Sequence, residues 1–298
     1  MMSAVIKETS QLSVAPGAHT LAVDANASTA ESVPLLSLRN ICKRFPGVRA
    51  LHNAQLDLWP GEVHALFGEN GAGKSTLINV IAGVYTPEEG ELRLDGKAIR
   101  PTCVQDARAA GIAAMFQEFS LAPHLTVAEN ILLGSEPNTS GFINRRQARR
   151  IAREALDRYG FNLNLDQTVS ELSRAQQQMI EMAKAMLIEP RVLILDEPTA
   201  SLSEKETEAL FQTIKELKKK GVAIVYITHR MREINAIADR ITIMRDGEYV
   251  ASLLTKDAHE DQLVELMTGR KQGDCVFQTK VATDSRRSLP PIPRESCH

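Results

Sequence analysis

No stretch of about 18 apolar residues occurs in the 298-residue chain, so nothing in it reads as a bilayer-spanning helix. Met1 to Pro34 lacks a basic start followed by an apolar block, which speaks against a secretory signal. Cysteine is scarce and scattered: Cys42, Cys103, Cys275 and Cys297 form no CxxC pair, and no histidine stands at ligand spacing from them. A disulfide framework or zinc site is therefore not expected, and reduced thiols are. Neither charge sign dominates. Thirty-five Lys and Arg against 37 Asp and Glu leave a formal charge of -2, without the basic excess of a nucleic-acid binder. A cytoplasmic protein is expected, held at any membrane by another protein. With 43% hydrophobic and 24% charged residues, the chain can bury a core.

Residues 1–34 are rich in Ser, Ala, Thr and Val without periodicity and read as an unstructured leader. A folded domain is expected over residues 35–270. Residues 271–298 lose periodicity and gather Pro290, Pro291 and Pro293, so an unstructured tail is expected there. Within the domain, Leu36 to Ile41 alternates like a half-buried strand. The runs Glu62 to Phe67, Arg191 to Asp196 and Val222 to Ile227 are continuously apolar, as strands covered on both faces are. Helical patterns alternate with them, so the fold class is α/β with a mainly parallel core sheet. Ser203 followed by Glu206 predicts a capping box, with Leu210, Phe211, Ile214 and Leu217 as the buried stripe of the helix it opens. Lys218, Lys219 and Lys220 close that helix before Gly221, and the helix dipole accounts for them. Arg145 to Tyr159 reads as a second helix with Ile151, Ala152, Ala155 and Leu156 inward. It belongs to a helical insertion placed at about residues 118–188.

The segment Gly68-Glu69-Asn70-Gly71-Ala72-Gly73-Lys74-Ser75-Thr76 follows an apolar strand, opens a helix, and fits GxxxxGK[ST]. Glycines let successive backbone N–H groups converge on a polyphosphate, and the helix N-terminus adds partial positive charge. Lys74 suits the β- and γ-phosphates, and the Ser75 hydroxyl suits Mg²⁺. Asp196 and Glu197 follow the strand Val192 to Leu195, where carboxylates project into the crevice of an open α/β sheet. Asp196 suits a Mg²⁺ shell, and Glu197 suits polarising an attacking water. His229 ends another apolar strand, within reach of a γ-phosphate. Gln117 follows a third, Ile112 to Phe116, and can bond to Mg²⁺ or the water.

This ordered set resembles the ATP-binding cassette family, over roughly Leu36 to Arg270. The resemblance makes Gly68 to Thr76 the Walker A motif, Val192 to Asp196 the Walker B motif with Glu197 after it, Gln117 the Q-loop glutamine and His229 the H-loop histidine. Leu172-Ser173-Arg174-Ala175-Gln176 is similar to the LSGGQ signature, and Phe45 to the aromatic that stacks on adenine. The wording of Arg44 to Leu51, Val127 to Ile131 and Gln176 to Glu181 is similar to the carbohydrate-import subgroup, which moves monosaccharides or polyols. The resemblance implies a P-loop fold with an antiparallel β part and a helical subdomain beside the parallel core, and an ATPase with ATP and Mg²⁺ at its site. It also implies an integral membrane permease, a second cassette, a solute-binding protein acting indirectly, and a place on the cytoplasmic face of the inner membrane. No nucleic-acid partner is implied.

Two departures stand out. Arg174 and Ala175 replace the signature's glycines, and Ser203 stands where many cassettes carry the D-loop aspartate. Chains of this subgroup usually hold two cassettes, whereas one GxxxxGK[ST] occurs here. Either a natural single-cassette subunit that dimerises or a truncated tandem chain is expected, with a non-transport cassette ATPase as the alternative to a transporter. The truncated chain would bind ATP with little turnover alone.

Overall fold

The computed structural model describes residues 33–117, 119–139 and 142–269. All but the last two residues of the expected leader, and the whole expected tail, lie outside the described residues. So do Cys275 and Cys297. Cys42 and Cys103 are free thiols, the first buried and the second exposed.

The chain opens with a hairpin, β1 (Leu36–Phe45) and β2 (Val48–Leu58), then the core strand β3 (Val63–Phe67) and helix α1 (Lys74–Ile81). Strands β4 (Glu89–Leu94) and β5 (Lys97–Ile99), helix α2 (Val104–Ala109) and strand β6 (Ile112–Met115) follow. Between β6 and the next core strand the chain is largely helical. It holds α3 (Val127–Leu132), a small hairpin of β7 (Asn138–Thr139) and β8 (Phe142–Ile143), α4 (Arg145–Arg158) and α5 (Arg174–Met186). Then come β9 (Val192–Asp196), α6 (Glu204–Lys219), β10 (Ala223–Ile227), α7 (Met231–Ile237), β11 (Arg240–Arg245), β12 (Glu248–Leu254) and α8 (Glu260–Thr268).

The core sheet runs β12-β11-β3-β10-β9-β6, with every pair parallel except the antiparallel edge strand β12. A second, antiparallel sheet runs β2-β1-β4-β5. This is the α/β class expected, with its mainly parallel core, antiparallel part and helical insertion. The small hairpin inside that insertion is a feature the sequence reading did not anticipate.

Every residue of β3, β9 and β10 is buried, which is why these strands read as unbroken apolar runs. Their two faces still separate by alternation. Leu193 and Leu195 of β9, with Ile224 and Tyr226 of β10, pack in one cluster with Leu210, Ile214 and Leu217 of α6 and the helical insertion. Val192, Ile194, Ala223, Val225 and Ile227 pack in a second cluster, with Leu77, Ile78 and Ile81 of α1 and with the inner face of the antiparallel sheet. The core sheet is thus clamped on both sides, and the strand ends carrying Asp196 and Ile227 are fixed in register. Among the described residues no helix is long and apolar enough to cross a membrane.

Candidate active site

The loop after β3 and the start of α1 form the floor of a cavity of about 1150 Å³ at the C-terminal edge of the core sheet. Gly68, Glu69, Asn70, Gly71, Gly73, Lys74, Ser75 and Thr76 line it. Gly73 is the N-cap of α1 at φ 93, and a Cβ there would meet the Ala50 carbonyl at 2.7 Å. At Gly68 a Cβ would come within 2.3 Å of the Met244 carbonyl. Both positions therefore exclude a side chain, and the loop can wrap tightly. No side chain caps α1 and no acid lies in its first turn, so its N-terminal N–H groups face the cavity uncompensated.

The Lys74 ammonium donates to the carbonyls of Gly68 at 2.8 Å and Glu69 at 2.9 Å. Burial pulls its pKa below the usual lysine range, and the carboxylates of Asp196 and Glu197 oppose that shift. Asp196, the last residue of β9, is buried. Desolvation, then the neighbouring Glu197, push its carboxyl up to about 6, with Lys74 acting against them. Two acids and one ammonium on one cavity wall make a site that gains from an added cation.

Glu197 takes a left-handed backbone at φ 46, unusual for a residue with a side chain and worth on the order of 1–3 kcal/mol of strain. Its N–H is tied to the Ile227 carbonyl of the neighbouring strand at 3.0 Å. The sharp turn delivers its carboxylate into the cavity. There Oε1 meets His229 Nδ1 at 3.1 Å, and Oε2 accepts from Gln117 Nε2 at 3.4 Å. Gln117, Asp196, Glu197 and His229 thus come from the ends of three parallel strands and converge on the loop that holds Lys74. A water placed among them would face a carboxylate, an imidazole and an amide.

Other predicted residues stand elsewhere. Ala72 is buried in the core beneath the loop. Phe45 is not a wall of the cavity; its ring packs edge-on to Tyr85, with centroids 5.1 Å apart. Val48, Arg49 and Ala50 of β2 line the cavity instead, and so does Met267 of α8. The sequence reading missed these four, since nothing in their spacing marks them. Leu172, Ser173, Arg174, Ala175 and Gln176 lie away from the cavity at the start of α5, where Ser173 and Gln176 form a capping box. The Arg174 guanidinium lies 5.4 Å from the Phe119 ring centroid, and Ala175 is buried. Ser203 caps α6, with Glu206 completing the box.

The description of the ABC transporter family matches residues 51–200 of the chain, half its length. The chain belongs to the ABC transporter family. That match takes in the phosphate loop and the Asp196–Glu197 pair, while Phe45 and His229 lie outside it. The cassette is 49% identical over 241 residues to ribose import ATP-binding protein RbsA 3 of Rubrobacter xylanophilus, covering 81% of this chain and 49% of that protein. It is 46% identical over 243 residues to ribose import ATP-binding protein RbsA 2 of Escherichia coli O157:H7, covering 82% and 48%. The chain spans about half the length of the curated relatives it matches. Among solved structures, a nucleotide-free ATP-binding cassette from an ABC transporter superposes with a TM-score of 0.66 at 26% identity, over 79% of this chain and 95% of that one. A cassette dimer in a post-hydrolysis state bound to ADP and Pi gives 0.64 at 28% identity, over 74% and 98%.

Proposed function

We propose that this cassette binds and hydrolyses ATP, and that the hydrolysis drives uptake of a sugar or polyol through a membrane permease. The observation that carries the reading is the convergence of Lys74, Gln117, Asp196, Glu197 and His229 on one glycine-built loop. The names of the ribose-import relatives supply the sugar. Assembly follows the same analogy: permease subunits, a second cassette, and a solute-binding protein acting through the permease, at the cytoplasmic face of the inner membrane.

Among the described residues no group of three His, Cys, Asp or Glu stands ready to hold a metal by itself. The donor set here is a different one. A buried Asp196 with a raised pKa shares its wall with the Ser75 hydroxyl and the Gln117 amide, all oxygen donors of the kind Mg²⁺ takes when phosphates complete the shell. These residues fit the ion, which would supply positive charge to offset that of the phosphates.

The loop N–H groups, the α1 N-terminus and Lys74 hold the triphosphate and oppose the charge that builds on the γ-phosphoryl group. Glu197 orients a water for attack on the γ-phosphorus and takes its proton. The bond from that phosphorus to the bridging oxygen breaks, and ADP carries the electron pair away. His229 and Gln117 hold the Glu197 carboxylate at the required angle through the contacts already described.

The test is MgATP binding and phosphate release by the purified chain. Lys74→Ala should abolish magnesium-dependent ATP affinity. Glu197→Gln should keep that affinity and lose turnover by about 100-fold or more. Magnesium-dependent affinity that Lys74→Ala leaves untouched would sink the reading. Import is tested separately, by co-purification with a permease and ATP-dependent sugar uptake into vesicles.

A further inference from the structure

Behind the Glu197–His229 pair lies a buried carboxylate that the proposed chemistry does not use. Glu233 is the third residue of α7 and is 6% exposed. Its Oε1 accepts from the Thr199 hydroxyl at 2.7 Å and from Arg230 Nη1 at 3.2 Å. Its Oε2 accepts from the Tyr226 hydroxyl at 2.9 Å and from the Thr228 hydroxyl at 2.9 Å. Four donors converge on two oxygens, so this acid is fully satisfied where an unpaired one would be very costly.

The position of those donors in the chain is informative. Thr199 stands two residues after Glu197, on the turn that closes β9. Thr228 and Arg230 flank His229 on either side. The Thr228 hydroxyl also accepts the Arg230 N–H at 3.1 Å, which closes the histidine turn on itself. Tyr226 is fully buried in β10 and anchors the group to the core sheet. His229 itself is exposed, with a side-chain accessibility of 71%, and among the described residues the hydrogen bond it makes to the site is the one to Glu197. Its placement has to come from the backbone on either side.

We infer that Glu233 is a positioning residue: through Thr199 and through Thr228 and Arg230, it locks the turn bearing Glu197 to the turn bearing His229. This rests on the proposed ATPase reading for its consequence, but not for its geometry. A carboxylate is suited to the role because it accepts four hydrogen bonds at once and donates none, so all four neighbours can be donors. Burial and the adjacent carboxylate raise the Tyr226 phenol's pKa, which keeps it a donor. Gln178 of α5 also donates to the Pro198 carbonyl, so the Glu197 turn is gripped from the signature helix as well.

The test uses the full chain with Glu233→Ala, Glu233→Gln and Thr199→Val. Two quantities are read: the His229 Cε1–H resonance in a carbon-edited NMR spectrum, and the split between kcat and MgATP affinity. Glu233→Ala should shift or broaden the His229 resonance. It should lower kcat about tenfold or more while MgATP affinity stays within about twofold, because misplacement of reacting groups acts on the chemical step. Glu233→Gln keeps the shape and part of the bonding, and should return kcat to within about threefold of the parent. Should Glu233→Ala fail to fold, Thr199→Val removes one strap with the shape kept and should move the same resonance and kcat in the same direction. An unmoved His229 resonance, or a fall in kcat matched by an equal loss of MgATP affinity, overturns the inference. A parent chain without magnesium-dependent turnover would count against the ATPase reading alone, and the His229 resonance would then decide the lock by itself.

Discussion

Asp196 shows at single-residue scale how a site can oppose the fold that carries it. Its carboxyl is pushed up to about 6 in the folded chain, against an ordinary value of 3.8, by burial and by Glu197. Between those two values the folded chain holds a proton that the unfolded chain has released. Stability therefore falls as pH rises through that window, and the full penalty is present above about pH 6. The penalty is on the order of 3 kcal/mol. Asp196→Asn removes the ionisation, so the variant should melt several degrees higher than the parent at pH 8 in the absence of nucleotide. The gain should shrink as pH falls and vanish below about pH 4. Thermal melts across that range check it, and a gain that persists unchanged at acid pH would contradict the assignment. The same variant should lose the magnesium dependence of ATP binding, because the charge that destabilises the free protein is the charge a cation would engage.

At the scale of elements, much was legible because the chemistry of local structure is written in few residues. Ser203 and Glu206 announced the start of α6. The structure has both halves of the capping box: the Ser203 hydroxyl accepts from the Glu206 N–H at 3.4 Å, and the Glu206 carboxylate accepts from the Ser203 N–H at 2.8 Å. Ser203→Ala should cost about 1 kcal/mol of stability, seen as a lower denaturation midpoint with an unchanged slope. A midpoint equal to the parent's would mean that the box contributes nothing here. Strands β3, β9 and β10 were legible for the same kind of reason, since double-sided burial demands unbroken apolar runs. The β7–β8 hairpin was not, because two-residue strands carry no period to detect. The cavity wall contributed by Val48, Arg49, Ala50 and Met267 was hidden too, since it depends on how β2 and α8 fold back over the loop. Glu233 did leave a signal. It stands four residues before Ile237, both on the buried side of α7, and an acid on an apolar stripe requires partners.

At the scale of the molecule, the residues the proposed reaction uses gather in the cavity, while the signature-like segment stands apart from it. Lys74, Asp196 and Glu197 line it, whereas Leu172 to Gln176 lie at the start of α5 and contribute no wall. Under the proposed assembly with a second cassette, the open side of such a site is where the partner's signature closes over the phosphates. A chain that turns over only when paired should show a specific activity that rises with its own concentration. Glu197→Gln with MgATP should sediment as a dimer while the same variant without nucleotide stays a monomer, since a ligand that binds only the closed pair shifts the population toward it. Arg174 bears on how well that pair closes. Its guanidinium lies over the Phe119 ring, and under the proposed pairing its bulk stands where a glycine would let backbone approach the partner's phosphate. Arg174→Gly should therefore strengthen nucleotide-dependent dimerisation and raise specific activity severalfold, the loss of one exposed cation–π contact of about 0.5–1 kcal/mol being a small opposing effect. Sedimentation and phosphate release on the same preparations check both halves. A variant that dimerises and turns over like the parent would show that the side chain already lies clear of the closing interface.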